Sequence, residues 1–279
     1  ELLVRVKSTL AMFKLLNGII KQSEILEKQS QELARQKEEI EEEKKKSDIL
    51  LLNILPQEVA EQLKNKGTVQ AKHYKTVSVM FSDFKGFTTI AESMSSDEVV
   101  QELSICFEHF DEIIERHYIE KIKTIGDSYM CAGGLPIRNK SNPIDVTLAG
   151  LEILDFMDTY NQERIRTGNL PWELRLGIHT GEVVAGVIGK KKFAYDIWGD
   201  TVNTASRMES SGSAGRLNIS EGTYHFIKDY FDCTYRGKVM AKNKGEIAMY
   251  YVDGIKQELC TDAKRIVPNE KFKEILSYF

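Results

Sequence analysis

Cysteine is scarce in this chain of 279 residues. The four present, Cys106, Cys131, Cys233 and Cys260, stand far apart. No C-x-x-C pair suggests a zinc site, and no dense framework suggests a disulfide-held secreted scaffold, so a reducing cytoplasm is the expected setting. No run of about 18 apolar residues occurs, so no segment reads as a membrane span. The formal net charge is only -4, which argues against bulk electrostatic binding of nucleic acid. Phosphates of a ligand would have to meet local cations or metal. The chain opens at Glu1 with no Met and no signal-peptide pattern, and reads as a piece of a longer protein whose upstream part could be membrane-attached. What is present, 42% hydrophobic and 29% charged residues, is enough for one large globular domain with an extension.

Residues 1–48 lack proline, and Gly18 is their single glycine. Met12, Ile19, Leu26, Leu33 and Ile40 recur every seven residues, while the companion positions Leu16, Ser23, Ser30, Lys37 and Lys44 turn polar after the first. This predicts a long signalling helix with one good seam stripe and one poor one, a weak parallel coiled coil. The opening segment, Glu1 to Leu10, resembles the last helix of a response-regulator receiver domain, which makes 1–20 its expected end and a receiver the expected upstream partner. Residues 49–74 form a transducer segment. In it Pro56 opens a helix that carries Val59, Ala60 and Leu63 on one face and stops at Gly67.

From 75 to 253 the pattern is mixed. Strands are predicted at 77–82, 174–178, 182–188, 216–220 and 247–252, and helices at 97–117, 142–166 and 201–208. Val99, Val100, Leu103, Phe107, Phe110 and Ile113 are the inward face of the first of these helices. Residues 119–125 and 128–132 predict a β-hairpin with Gly126 and Asp127 at its tip. The whole is an α+β fold, a sheet with helices packed mainly on one face. A tail, 254–279, has a helical pattern after Pro268 and no motif.

Two aspartates sit where apolar strands give way to small-residue turns: Asp83 before Gly86, and Asp127 after Gly126. A carboxylate at a strand edge costs folding energy unless it is bonded or binds a cation. A pair of them suits a hard divalent cation that keeps positions open for phosphate oxygens. The competing reading is that each aspartate only caps its own turn. Further along, Asn203 and Arg207 are four apart on a predicted helix and share a face. An amide beside a guanidinium suits a sugar oxygen and a phosphate, although such pairs are usually surface decoration.

Four segments bring a family into view: F-S-D-F-K-G-F-T (81–88), K-I-K-T-I-G-D-S-Y-M (121–130), L-G-I-H-T-G (176–181) and Y-D-I-W-G-D-T-V-N-T-A-S-R-M (195–208). In order and separation they closely resemble the class III nucleotidyl cyclases over about 75–252, whose catalytic fold is ferredoxin-like. The resemblance implies conversion of a nucleoside triphosphate to a 3′,5′-cyclic monophosphate and pyrophosphate. It implies two ions of Mg²⁺ or Mn²⁺ per site, held by Asp83, Asp127 and the backbone carbonyl of Phe84. Asn203 and Arg207 match the pair that orients the ribose and stabilises the transition state. Lys242 matches the lysine that meets the terminal phosphates. Asn243 departs from the usual glycine there, so Lys244 shares the candidacy. Glu182 stands where many relatives have proline or arginine, and no role is assigned to it.

Lys123 and Asp196 match the two positions that read the purine. Adenine offers a ring-nitrogen acceptor and an amino donor, which lysine and aspartate complement; guanylyl cyclases carry Glu and Cys or similar there. The resemblance therefore implies an adenylate cyclase acting on ATP. A guanylate or relaxed purine cyclase is the alternative within the class. A non-catalytic nucleotide-sensing dimerisation module is the alternative outside it. Family sites form between two catalytic domains, and this chain carries both halves, so a homodimer with two composite active sites is expected.

Overall fold

The computed structural model describes residues 2–189, 192–241 and 245–279. Two compact units divide between Leu55 and Pro56. The first contains one helix, α1 (Leu2–Leu52). At about 1.5 Å per residue it is roughly 75 Å long. Met12, Ile19, Leu26, Leu33 and Ile40 are all exposed along it. The helix runs past the expected boundary at 48, because no proline or glycine interrupts it there.

The second unit begins with α2 (Gln57–Lys66). Pro56 stands at its N-cap, and it ends on left-handed Gly67. There follow β1 (Lys72–Phe84), α3 (Phe87–Ala91), α4 (Ser96–Arg116), β2 (Ile119–Ile125), β3 (Ser128–Gly133) and α5 (Asn142–Arg166). Then come β4 (Leu174–Ile188), β5 (Ala194–Trp198), α6 (Asp200–Ser210), β6 (Leu217–Ser220), α7 (Glu221–Ile227), β7 (Phe231–Ala241), β8 (Gly245–Ile255) and α8 (Glu270–Ser277). The strands form one mixed sheet in the order β2-β3-β1-β4-β6-β8-β7, with β5 paired to β4. Only β4 and β6 run parallel among the described pairs.

Alternation along the strands sorts the two faces. Met80 and Phe84 of β1, with Leu174, Leu176 and Ile178 of β4, enter the main core beside Phe110, Ile113 and Ile114 of α4 and Ile144, Leu148 and Ile153 of α5. The opposite face of the same strands receives α6. It comes so close that a Cβ on Gly177 would lie 1.9 Å from the Glu209 backbone nitrogen, which only glycine permits. A capping box at Ser95 and Glu98 starts α4. Phe272 of α8 is fully buried and rings with Tyr230 and Phe231, so the tail packs on the domain.

Several expectations are corrected. β4 runs unbroken through His179, Thr180 and Gly181, which pair with Val79, Ser78 and Val77. The glycine there is not a turn: a Cβ at Gly181 would meet the Thr201 hydroxyl at 2.5 Å. β5, β7 and α7 were not predicted. In α4 the buried stripe is Cys106, Phe110, Ile113 and Ile114, and Val100 points to solvent.

Candidate active site

Asp83 and Arg175 are direct cross-strand partners on β1 and β4. Both lie on the face that α6 covers, so α6 lends them a third charge. Arg175 Nη2 donates to Asp83 Oδ2 at 2.5 Å, and Arg175 Nε stands 2.9 Å from Glu209 Oε1 in an ion pair. The Ser128 hydroxyl donates to Asp83 Oδ1 at 2.8 Å. Burial pushes the Glu209 carboxyl up to about 7, with Arg175 pulling it back and the Asp83 and Asp127 charges adding to the rise.

Asp127 reaches the same place from the β2–β3 hairpin. Gly126 at φ 63° turns the chain between the strands, and the Asp127 carboxylate accepts from its own N–H and from that of Phe84. Burial raises its pKa first, and the neighbouring Asp83 charge raises it further. Two hard carboxylates that repel one another at a strand end, close to the Phe84 backbone, form a donor set that suits a divalent cation. Glu209 is engaged with Arg175, which leaves Asp83 and Asp127 as the candidate ligands; no group of three or more His, Cys, Asp or Glu that could hold a metal ion occurs among the described residues.

Lys123 lies four residues before Asp127, yet the turn and a β-bulge between Lys121 and Lys123 send the two to different neighbours. Lys123 Nζ donates to Asp196 Oδ2 at 2.6 Å, joining β2 to β5. Asp196 Oδ1 accepts from the Ile197 N–H at 2.9 Å, which holds the carboxylate in place. Asp196 is largely covered while Lys123 is half exposed. Tyr195, on the opposite side of β5 near Tyr74 and Glu58, has a buried hydroxyl with no hydrogen-bond partner.

Asn203 and Arg207 share a face of α6. Asn203 is exposed, and Arg207 is half-buried with an Nη1 that is covered and unpaired. An orphaned guanidinium donor is a place for an anionic oxygen. Thr201 anchors the first turn of the helix by donating to the Glu182 carbonyl at 2.6 Å. The Glu182 side chain itself makes an exposed pair with His73. Lys242 and Lys244 lie outside the described residues.

Sequence reasoning missed Arg175 and Glu209. Their signal was present but split: Arg175 precedes the L-G-I-H-T-G segment by one residue, and Glu209 follows the last motif by one. Only the register of β1 against β4, and the approach of α6 at Gly177, brings them to Asp83.

The family described as "Adenylate and Guanylate cyclase catalytic domain" matches residues 69–254. Human guanylyl cyclase C is 40% identical over 218 residues, which are 76% of this chain and 20% of that protein. Among solved structures, the catalytic core of a rhodopsin-guanylyl cyclase "with converted specificity in complex with ATPalphaS" is 34% identical. Its TM-score is 0.61, covering 66% of this chain and 97% of the other. The adenylyl cyclase CyaB from P. aeruginosa is 29% identical with a TM-score of 0.64, covering 68% of this chain and 99% of the other. The chain belongs to the class III nucleotidyl cyclases. Domains of this class generally use divalent metal ions.

The chain spans about a fifth of the length of the curated relatives it matches. Those relatives, at 39–41% identity, are guanylyl cyclases, against the expectation of an adenylate cyclase. A second family, "Heme NO binding associated", matches residues 17–63. It replaces the receiver domain as what the helical segment resembles. No helix among the described residues is long and apolar enough to cross a membrane.

Proposed function

We propose that this chain converts ATP to 3′,5′-cyclic AMP and pyrophosphate, as a homodimer with two composite sites. The observation that carries the choice of ATP is the Lys123–Asp196 pair at 2.6 Å. A donor and an acceptor already facing each other can part to receive a base that presents the reverse pattern. Adenine, with its ring-nitrogen acceptor and amino donor, is that base. Guanine presents an oxo acceptor and a ring N–H, and would leave polar groups unpaired at a cost of about 1–3 kcal/mol each.

In this reading Asp83, Asp127 and the Phe84 carbonyl hold the metal ions. Bound there, the ions lower the pKa of the ribose 3′-hydroxyl and neutralise the polyphosphate. Asn203 holds the ribose, which fixes the 3′-oxygen in line with the α-phosphorus. As the new O–P bond forms and the bond to the β-phosphate breaks, the unpaired Arg207 Nη1 takes up charge on the α-phosphate. Lys242, with Lys244 beside it in sequence, meets the departing pyrophosphate. The metal half of each site comes from one chain, and the purine and Arg207 half from its partner. The exposed stripe from Met12 to Ile40 gives α1 a seam for the second copy. Through α1 the domain receives input from an upstream region of the heme–NO-associated kind.

The second reading is a guanylate cyclase. Its support is broad: relatives at about 40% identity over 218 residues, rather than two side chains. Overall identity favours it over ATP. Against it stands the physics of base choice, which belongs to the few groups that touch the purine and can change while the rest of the domain does not. A similar domain, the catalytic core of a rhodopsin-guanylyl cyclase, is known with converted specificity in complex with ATPalphaS.

The test is product identification by mass spectrometry after incubating the purified chain with ATP or GTP, each with Mg²⁺ or Mn²⁺. A higher kcat/KM for ATP is expected. Preference for GTP refutes the ATP assignment and supports the second reading. Absence of cyclic product from either nucleotide refutes both.

A further inference from the structure

Arg175 is tied to Asp83 on one side and to Glu209 on the other, at 2.5 and 2.9 Å. Three features make this more than a surface bridge. The Asp83 and Arg175 backbones are in register as direct neighbours, so the contact needs no long side-chain reach. Glu209 is nine-tenths covered, and its backbone lies against Gly177, where a Cβ would come within 1.9 Å of the Glu209 nitrogen. Asp83 already has one oxygen taken by Ser128, so Arg175 occupies the other. Only part of the carboxylate's lone-pair capacity is left open.

A cation entering beside Asp83 therefore meets a cation already in place. We propose that Arg175 is the resident counter-cation of the metal pocket. It holds Asp83 in the ion-free protein and hands it over when divalent metal enters, swinging its charge onto Glu209, which serves as the acceptor that makes the release affordable. This rests on the assignment of Asp83 as a metal ligand. Arg175 is a positioning residue, and Glu209 sets how tightly it holds on. The arrangement keeps the two acidic groups from repelling each other when no ion is present, at the cost of weaker ion binding.

A second consequence concerns α6. Glu209 lies two residues from Arg207 on that helix, so the same guanidinium links the metal half of one composite site to the helix that completes the other.

The experiment is direct Mn²⁺ titration by electron paramagnetic resonance on the purified full chain without nucleotide, with circular dichroism to verify folding. Arg175→Gln removes the competitor, and Mn²⁺ should bind about tenfold tighter while kcat falls through loss of Asp83 orientation. Glu209→Gln leaves Arg175 wholly on Asp83, and Mn²⁺ should bind about threefold more weakly. A merely structural clamp predicts weakening in both variants. Shifts in the same direction, or no shift, overturn the proposal. If Arg175→Gln does not fold, Arg175→Lys decides in its place: it keeps the charge but loses the fork that spans both carboxylates, so Mn²⁺ should bind more tightly, and weakening or no change refutes the proposal. Asp83→Ala separates the two levels. Unchanged Mn²⁺ binding in that variant refutes the metal assignment itself, whereas lost binding there with same-sign shifts in the other two refutes only the role of Arg175.

Discussion

Exchanging Lys123 and Asp196, the pair proposed to read the purine, offers the sharpest test of base choice. In Lys123→Glu/Asp196→Cys, the donor and acceptor that complement adenine are replaced by an acceptor for the guanine ring N–H and a weak donor for its oxo group. The magnitude follows from burial. Asp196 has a side chain only 15% exposed, so its unmet partner costs toward the upper part of the range of about 1–3 kcal/mol for an unsatisfied buried group. Lys123 is 41% exposed, so water recovers much of its loss and it contributes toward the lower part. Together the change against ATP is about 3 kcal/mol, or about a hundredfold in the ratio of kcat/KM for ATP to that for GTP. The single variant Lys123→Glu should be worse for both nucleotides than the double, because it sets a carboxylate against Asp196 where an ion pair stood. The assay is initial-rate kinetics on the parent and the two variants with both nucleotides at saturating metal. An ATP-to-GTP ratio that stays within about threefold of the parent would refute the reasoning, since mismatched buried groups cannot cost so little.

Three further outcomes are expected. An equal mixture of Asp83→Ala and Asn203→Ala chains should recover about a quarter of wild-type activity, since half the dimers are mixed and each of those holds one intact site; a dead mixture whose chains still pair by light scattering refutes the composite site. Gly177→Ala should displace α6 and lower stability by about 3 kcal/mol or more in urea melts, taking Arg207 out of place, because the added carbon would lie 1.9 Å from the Glu209 nitrogen; a normal melt with full activity would contradict that approach. Glu120 is raised by burial from the ordinary 4.5 to about 7. A carboxyl raised on folding stabilises below its unfolded pKa and loses that stability as pH rises through the folded one. Glu120→Gln should therefore match the parent near pH 4.5 and exceed it by about 2 kcal/mol at pH 8, the full shift being discounted for partial solvent access; a difference that does not grow with pH refutes the burial argument.

The proposed site draws on local motifs and the sheet on distant pairings, and the difference in legibility is physical. Hairpins and helices announce themselves locally: the Gly126 turn between two strands, Pro56 at the opening of α2 and Gly67 at its end are each decided by residues within a few positions. The unbroken β4 is not local. Gly181 reads as the end of a joint between two strands, whereas in the fold Thr201 occupies the place of its missing side chain. β7 carries Arg236, Gly237 and Lys238 in an edge strand, where solvent access hides the alternation. The same distinction governs the residues proposed for the site. Asp83, Asp127, Asn203 and Arg207 stand out because each lies inside a dense motif. Arg175 and Glu209 lie one residue outside, and their meaning comes from pairing across β1 and β4 and from a helix laid over the sheet. A residue that modulates a site through tertiary register leaves no spacing to read. That is why Arg175, the charge proposed to compete with metal at Asp83, is legible in the fold and silent in the motif.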